Sequence, residues 1–491
     1  MNDDSSVKNI PPPTGSYIPT GQEFTLNELN RILETTIKHD SPTKKILFLG
    51  MLLNYTEQDQ QNFAFNAPSS TGKSFIALEV ANYFPQDDLM ILSYTSPTAF
   101  FHSQSALVDE NLSPLQPRKD YVSAGVETWD ENNPKPDKGD GRSAWKEKRR
   151  DEIRHIKSEW DQLTKFYLVD LEKKILIFLD QPHDELLKKL RPMLSHDRKL
   201  LHIKITDKTK EGGHKTKDIL IRGYPTVIFL SVNSSLDGQE KTRNFLLSPE
   251  VSQEKLKASI KQSAENLSNR TAFKNRLDRD EKRLELMMKI QNICDCDVKE
   301  VLLVPEDREY ITKKFLKEHN HLQPRHQRDF PRLIALIKAH ALLNLFNRER
   351  DSNGVWANRH DCDEGYKLYT EVSQANEHGV PPHYYKFWVE MLESSLTEEG
   401  LTRKEVSAFY LDFYKHRLGE KALKRLIETF CEAGFVYEDK DPNDKRFIKI
   451  YSLGGGGKNF TQVTEDQEEQ AEFEDRRLGY FNDFMDEEAS P

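Results

Sequence analysis

The chain has 491 residues, 31% of them charged, with a net charge of −10 and a mean hydropathy of −0.75. That length predicts two or three domains, and the negative balance excludes a uniformly basic nucleic-acid binder, so contact with a phosphate backbone must come from local patches. No signal peptide and no apolar run of about 18 residues occurs, so neither secretion nor a membrane span is expected. The scattered cysteines Cys294, Cys296, Cys362 and Cys431 fit reduced thiols in a cytoplasmic protein. Cys294 and Cys296 lack a second Cys/His pair at zinc spacing.

Residues 1 to about 22 are polar and Pro-rich and are expected to be a disordered lead-in. Helical patterns follow over 25–39 and 43–55, the second strongly apolar. Gln61-Asn62-Phe63-Ala64-Phe65-Asn66 reads as a short strand, and the segment from Lys73 to Ala81 reads as an amphipathic helix. Between them stands Ala67-Pro68-Ser69-Ser70-Thr71-Gly72-Lys73-Ser74. This is a phosphate-binding P-loop pattern, with Ala67 in place of its first glycine. In that context backbone N–H groups and a helix N-terminus converge on the phosphates of a nucleotide. Lys73 then reaches the β- and γ-phosphates, and the Ser74 hydroxyl sits on Mg²⁺. The segment predicts binding of ATP or a related nucleoside triphosphate. The bland alternative is a Ser/Gly turn before an ordinary helix.

Residues 89–94 read as a buried strand. The charged stretch of about 109–165 reads as an insertion, loop-like to Arg142 and helical over 145–163. Lys174-Ile175-Leu176-Ile177-Phe178-Leu179-Asp180 is an apolar run closing on a carboxylate, the pattern of a Walker B strand that delivers Asp180 to a magnesium ion. The next residue is Gln181, whose amide cannot act as a general base. Asp184 or Glu185 is placed to substitute, or else both mark a solvated helix start favoured by the helix dipole. Residues 201–221 alternate around a basic Gly-Gly turn and predict a β-hairpin tipped by Lys208, Lys210, Lys215 and Lys217. Such a tip grips single-stranded nucleic acid in a pore, or is a solvated surface ribbon. A further buried strand over 225–232 leads to Asn233, a candidate γ-phosphate sensor, and then to Arg243, a candidate finger toward a neighbouring subunit's nucleotide. Short apolar strands alternating with helices predict an α/β fold with a parallel sheet.

The order of these parts resembles that of AAA+ ATPases, in particular the minichromosome-maintenance-like helicase and initiator proteins of cells and mobile elements. The resemblance covers roughly residues 24–345. It rests on the P-loop 67–74, the strand ending at Asp180, the hairpin, the strand ending at Asn233, Arg243, and Gln327-Arg328-Asp329-Phe330-Pro331-Arg332 opening a long helix. It implies an AAA+ core over 24–250 and a helical lid over 251–350. Within the lid Arg328 acts as a second sensor, with Arg325 as the reserve choice. The catalytic set it implies is Lys73, Asp180, Glu185, Asn233, Arg243 and Arg328. Departures from the pattern are Ala67, Gln181 and the insertion 109–165.

Residues 351–395 read as a helical connector, and 396–453 look like an α+β winged helix. Its second helix carries Lys421, Lys424 and Arg425 on the polar side, a wing follows over 439–445, and such a unit binds duplex DNA or serves protein contacts alone. Residues 454–491 read as a glycine linker and an acidic, disordered tail, either a solubiliser or a docking site for a replication partner. The expected activity is an ATP-dependent, ring-forming, homo-oligomeric DNA helicase or helicase-like replication protein. The alternative is a DNA-binding initiator or regulator that uses ATP as an assembly switch. An ATPase of defence or signalling is a third reading.

Overall fold

The computed structural model describes residues 23–65, 67, 70–93, 95–96, 99–101, 105–136, 141–208, 214–230, 244–319, 322, 324–352, 354–377, 380–397, 399–441 and 447–453. They fall into two compact units, the first ending at Glu377 and the second beginning at His378. The architecture is mixed α/β with parallel sheets. Among the described residues no helix is long and apolar enough to cross a membrane.

The first unit opens with α1 (Leu26–Glu34), started by a capping box in which Thr25 and Glu28 exchange backbone and side-chain hydrogen bonds. Leu26, Leu29, Ile32 and Leu33 form its buried face. The helix stops short of the expected residue 39, and His39 and Asp40 then take left-handed backbone angles (φ 58° and 55°). Next comes α2 (Ser41–Leu52), apolar on nearly every side and buried accordingly. It lies so close to the first strand that a Cβ on Gly50 would come within 2.0 Å of the Phe63 ring, and only glycine fits there.

The strands of this half are β1 (Asn62–Phe65), β2 (Leu89–Leu92), β3 (Ser105–Val108), β4 (Phe166–Asp170), β5 (Ile175–Phe178), β6 (Leu200–Lys208), β7 (His214–Arg222), β8 (Thr226–Phe229) and β9 (Phe245–Leu247). The main sheet has the order β2-β5-β8-β1-β9, with every neighbouring pair parallel. Its inner strands β5, β8 and β1 are buried at every position, which is why they read as unbroken apolar runs. Two expectations need correction here. The strand 89–94, expected to be buried, is an edge, and Ile91 is 47% exposed, because it has a neighbour on one side only. The short β9 on the far edge has no counterpart among the expected strands.

Helices α3 (Lys73–Ala81), α4 (Arg118–Asn132), α5 (Gly141–Gln162) and α6 (Asp184–Leu194) belong to the same half. The expected hairpin exists as β6 and β7, in register from Leu200↔Arg222 to Lys208↔His214. It is part of a second, four-stranded sheet ordered β3-β4-β7-β6. The insertion between β3 and β4 is a helical hairpin, and α4 occupies 118–132 of the stretch expected to be a loop up to Arg142. No residue of α4 is buried, so it carries no apolar period to read. What holds it is α5. Trp129 stacks obliquely on Trp145 with centroids 5.9 Å apart, Gly125 lies beneath Ile156, and Arg149 grips Asp130 at 2.7 and 2.8 Å. At the base Arg118 pairs with Asp161 at 2.7 Å.

Beyond β9 the chain is helical, with α7 (Gln253–Ser268), α8 (Arg270–Asp278), α9 (Glu281–Asp295), α10 (Pro305–Glu318), α11 (His326–Leu343) and α12 (Arg359–Glu377). A small parallel ladder joins β10 (Val301–Leu303) to β11 (Val355–Ala357). The stretch 351–395, read as one connector, is divided. Its first part supplies β11 and α12, packed on α11 where Gly365 meets Ile337, and the rest opens the second unit.

In the second unit α13 (Pro382–Phe387) runs into a π turn over Trp388–Leu392. There follow β12 (Leu401–Thr402), α14 (Arg403–Tyr414) with a Thr402/Glu405 capping box, α15 (Glu420–Glu432), β13 (Val436–Lys440) and β14 (Ile448–Ser452). The sheet is antiparallel with the order β12-β14-β13. An aromatic core closes it, with Trp388 stacked on Phe435 at 4.8 Å and Phe430 beside both.

Candidate functional site

The loop 67–74 leaves the carboxyl end of β1 and enters α3. In open parallel sheets, ligands bind beyond the carboxyl ends of the strands, where the chain crosses from one side of the sheet to the other. Here β1 is that place, since β2, β5 and β8 lie to one side of it and β9 to the other. The local geometry fits a phosphate group. Ser70 (φ 65°) and Gly72 (φ 91°) are left-handed, and a Cβ on Gly72 would meet nothing within 4 Å. Gly72 begins α3 with no side-chain cap hydrogen bond, and the N-terminus of a nine-residue helix favours an anion. The Lys73 ammonium folds back to the Ala67 carbonyl at 2.5 Å, and Ser74 beside it is exposed. Pro68 and Ser69 lie outside the described residues.

Asp180 follows β5 in a bend and is exposed. It lies at the same end of the sheet as the loop, with only β8 between their strands, so about 10 Å separates the two strand axes. The hydroxyl of Ser74 and this carboxylate are the oxygen donors that Mg²⁺ favours. Glu185 sits in the first turn of α6, exposed and paired with Lys189 at 2.8 Å, which holds its carboxyl below the usual range. That is the solvated helix start. Asn233 and Arg243 lie outside the described residues.

Arg328 is exposed on the first turn of α11. One turn on, buried Arg332 donates to the Asn244 carbonyl at 2.8 Å and lies over the Phe245 ring. Further along, Lys338 pairs with Asp59 at 2.8 Å. Asn244 and Asp59 both precede their strands, so α11 is anchored at the amino end of the sheet, opposite the loop 67–74. Arg325, the reserve choice, pairs with Asp329 at 3.0 Å. Among the described residues Arg328 makes no side-chain hydrogen bond or ion pair with the loop.

Sequence reasoning missed a buried group beneath the loop. Lys255, in the first turn of α7, pairs with Asp40 at 2.5 Å and donates to the Thr71 carbonyl at 3.2 Å. Asp40 also accepts the Glu250 N–H at 2.5 Å, and Thr43 donates to the Ser248 carbonyl at 3.0 Å. Burial pushes the Asp40 carboxyl up, with Lys255 pulling it the other way. The left-handed His39 and Asp40 cost on the order of 1 kcal/mol each, strain that the surrounding contacts must offset. Asp40 makes no cap hydrogen bond to α2, and its partners are far away in sequence, so the sequence held no signal for its role.

Of the cationic hairpin, Lys217 is half-buried with its ammonium 5.1 Å from the Tyr167 ring. The ladder carries the backbone of Lys208 and Lys215, while Lys210 and the turn lie outside the described residues. In the second unit Lys421, Lys424 and Arg425 are exposed along one side of α15, Lys424 lying 3.5 Å from Glu428. Of the expected wing over 439–445, Asp439 and Lys440 belong to β13, while 442–446 and the acidic tail lie outside the described residues. No family model matches the chain, and no curated protein matches it either.

Proposed function

We propose that the chain is a DNA-binding ATPase of the AAA+ type that holds ATP and Mg²⁺ at the loop 67–74. In this reading it works as a ring-forming helicase or helicase-like replication protein. The observation that carries it is the loop Ala67–Ser74 at the switch point of a parallel sheet, with Asp180 at the same end. Lys73 neutralises the β- and γ-phosphates, backbone N–H groups of the loop and α3 cradle them, and Ser74 and Asp180 hold Mg²⁺. The bound ion and phosphates supply the electrostatics of phosphoryl transfer, and the protein supplies position. The lysines of the β6–β7 hairpin engage single-stranded DNA, and Lys421, Lys424 and Arg425 engage duplex through a winged-helix unit.

The test is Mg·ATP binding by calorimetry. Lys73→Ala is expected to abolish binding while the protein melts as before, and unchanged affinity in the folded variant overturns the reading. One observation favours the second reading, in which ATP is an assembly switch. Gln181 follows Asp180, and Glu185 is turned to Lys189, so neither supplies a general base beside the site.

A further inference from the structure

We infer that Lys255 and Asp40 are positioning residues for the phosphate loop, their buried ion pair fixing the Thr71–Gly72 peptide so that its N–H faces the nucleotide. The inference rests on the nucleotide reading above and adds two residues that lie outside the motif.

The backbone of Lys255 is set by the start of α7, where the Ser252 hydroxyl caps the helix by accepting the Lys255 N–H at 3.2 Å. Its ammonium is set by Asp40, whose other oxygen accepts from the backbone just beyond β9. Both side chains are almost wholly buried, at 8% and 0% exposure. A buried pair of this kind is weak evidence for stability, since apolar residues of equal volume often serve as well. Its direction is the informative part. The ammonium also donates to the Thr71 carbonyl, one residue before the glycine that opens α3. Across a trans peptide the C=O and N–H point opposite ways. Holding the Thr71 oxygen on the Lys255 side therefore turns the Gly72 N–H to the other side, away from Lys255. Without the anchor, the peptide between Thr71 and left-handed Gly72 flips more easily and presents its carbonyl to a phosphate.

The experiment measures Mg·ATP affinity and melting temperature for full-length Lys255→Met, Lys255→Arg, Asp40→Asn and the double variant Asp40→Asn/Lys255→Met, with Lys73→Ala as control. Lys255→Met alone leaves a buried carboxylate without its partner and is expected to lose stability. The double variant removes both charges and is expected to regain stability yet bind Mg·ATP about tenfold or more weakly, as befits a lost charge-assisted hydrogen bond. Lys255→Arg, which keeps the charge, is expected to recover part of the affinity. A stable double variant with wild-type affinity overturns the inference while the Lys73 control still loses binding. If Lys73→Ala also binds normally, the nucleotide reading itself falls.

Discussion

In the proposed function, Gln181 occupies the position that decides how fast a triphosphate is turned over. Its amide accepts no proton, and Glu185 is exposed and committed to Lys189. Gln181→Glu is therefore expected to raise ATP turnover about tenfold or more, the low end of what a placed base contributes, whereas Glu185→Gln should leave it within about twofold. Single-turnover hydrolysis of radiolabelled ATP measures both. A Gln181→Glu variant no faster than wild type removes Asp180–Gln181 from the reacting centre. A clear loss in Glu185→Gln shows instead that α6 moves its first turn to the phosphates.

At the scale of elements, α9 carries a group whose protonation is coupled to folding. Lys289 is 1% exposed, its ammonium 4.8 Å from the Phe24 ring. Burial lowers its pKa to about 8, against the opposing pull of Glu285 and Glu28. Between about 8 and the ordinary lysine value of about 10.4, the unfolded chain binds a proton that the folded chain has released, so this group makes stability rise with pH. Below that window its destabilising effect is complete. Cys294, pushed up to about 11 by burial, works in the opposite sense, so the informative quantity is the difference between wild type and Lys289→Met. That variant should melt a few degrees higher at pH 7, and its advantage should shrink toward pH 10; a constant difference refutes the coupling. The elements themselves were legible in proportion to how much they bury. The runs forming β5 and β8 announced themselves because both faces are covered. Three-residue β9 is too short for any period, and α4 takes its stability from α5 rather than from an apolar face. The loop 67–74 stood out in the sequence because the P-loop pattern fixes the spacing of its residues. The Lys255–Asp40 pair was not, because its partners meet only when β9 closes the sheet beside β1. The assignment of Arg328 depended on where α11 packs, and Arg332 and Lys338 decide that through contacts no sequence window contains.

For the whole molecule, the proposed DNA binding is testable one unit at a time. Replacing Lys208, Lys210, Lys215 and Lys217 by Ser should lower DNA-stimulated ATP hydrolysis without changing basal ATP binding. Replacing Lys421, Lys424 and Arg425 should weaken duplex binding and flatten its salt dependence by about one log–log unit of slope per lost phosphate contact. Fluorescence anisotropy at several salt concentrations separates the two. Full DNA stimulation in the hairpin variant leaves the β6–β7 ribbon as solvated surface and favours the assembly switch.

The paired helices α4 and α5 have a consequence for how the molecule breathes. They leave from between β3 and β4 and return beside their point of departure, where Arg118 meets Asp161, and Ile156 is the one buried side chain either helix contributes. Opening them exposes little apolar surface and disturbs no strand pairing. Their amide protons should therefore exchange with deuterated solvent through a local opening of low free energy, long before those of β5 and β8, whose exchange waits for the main sheet to come apart.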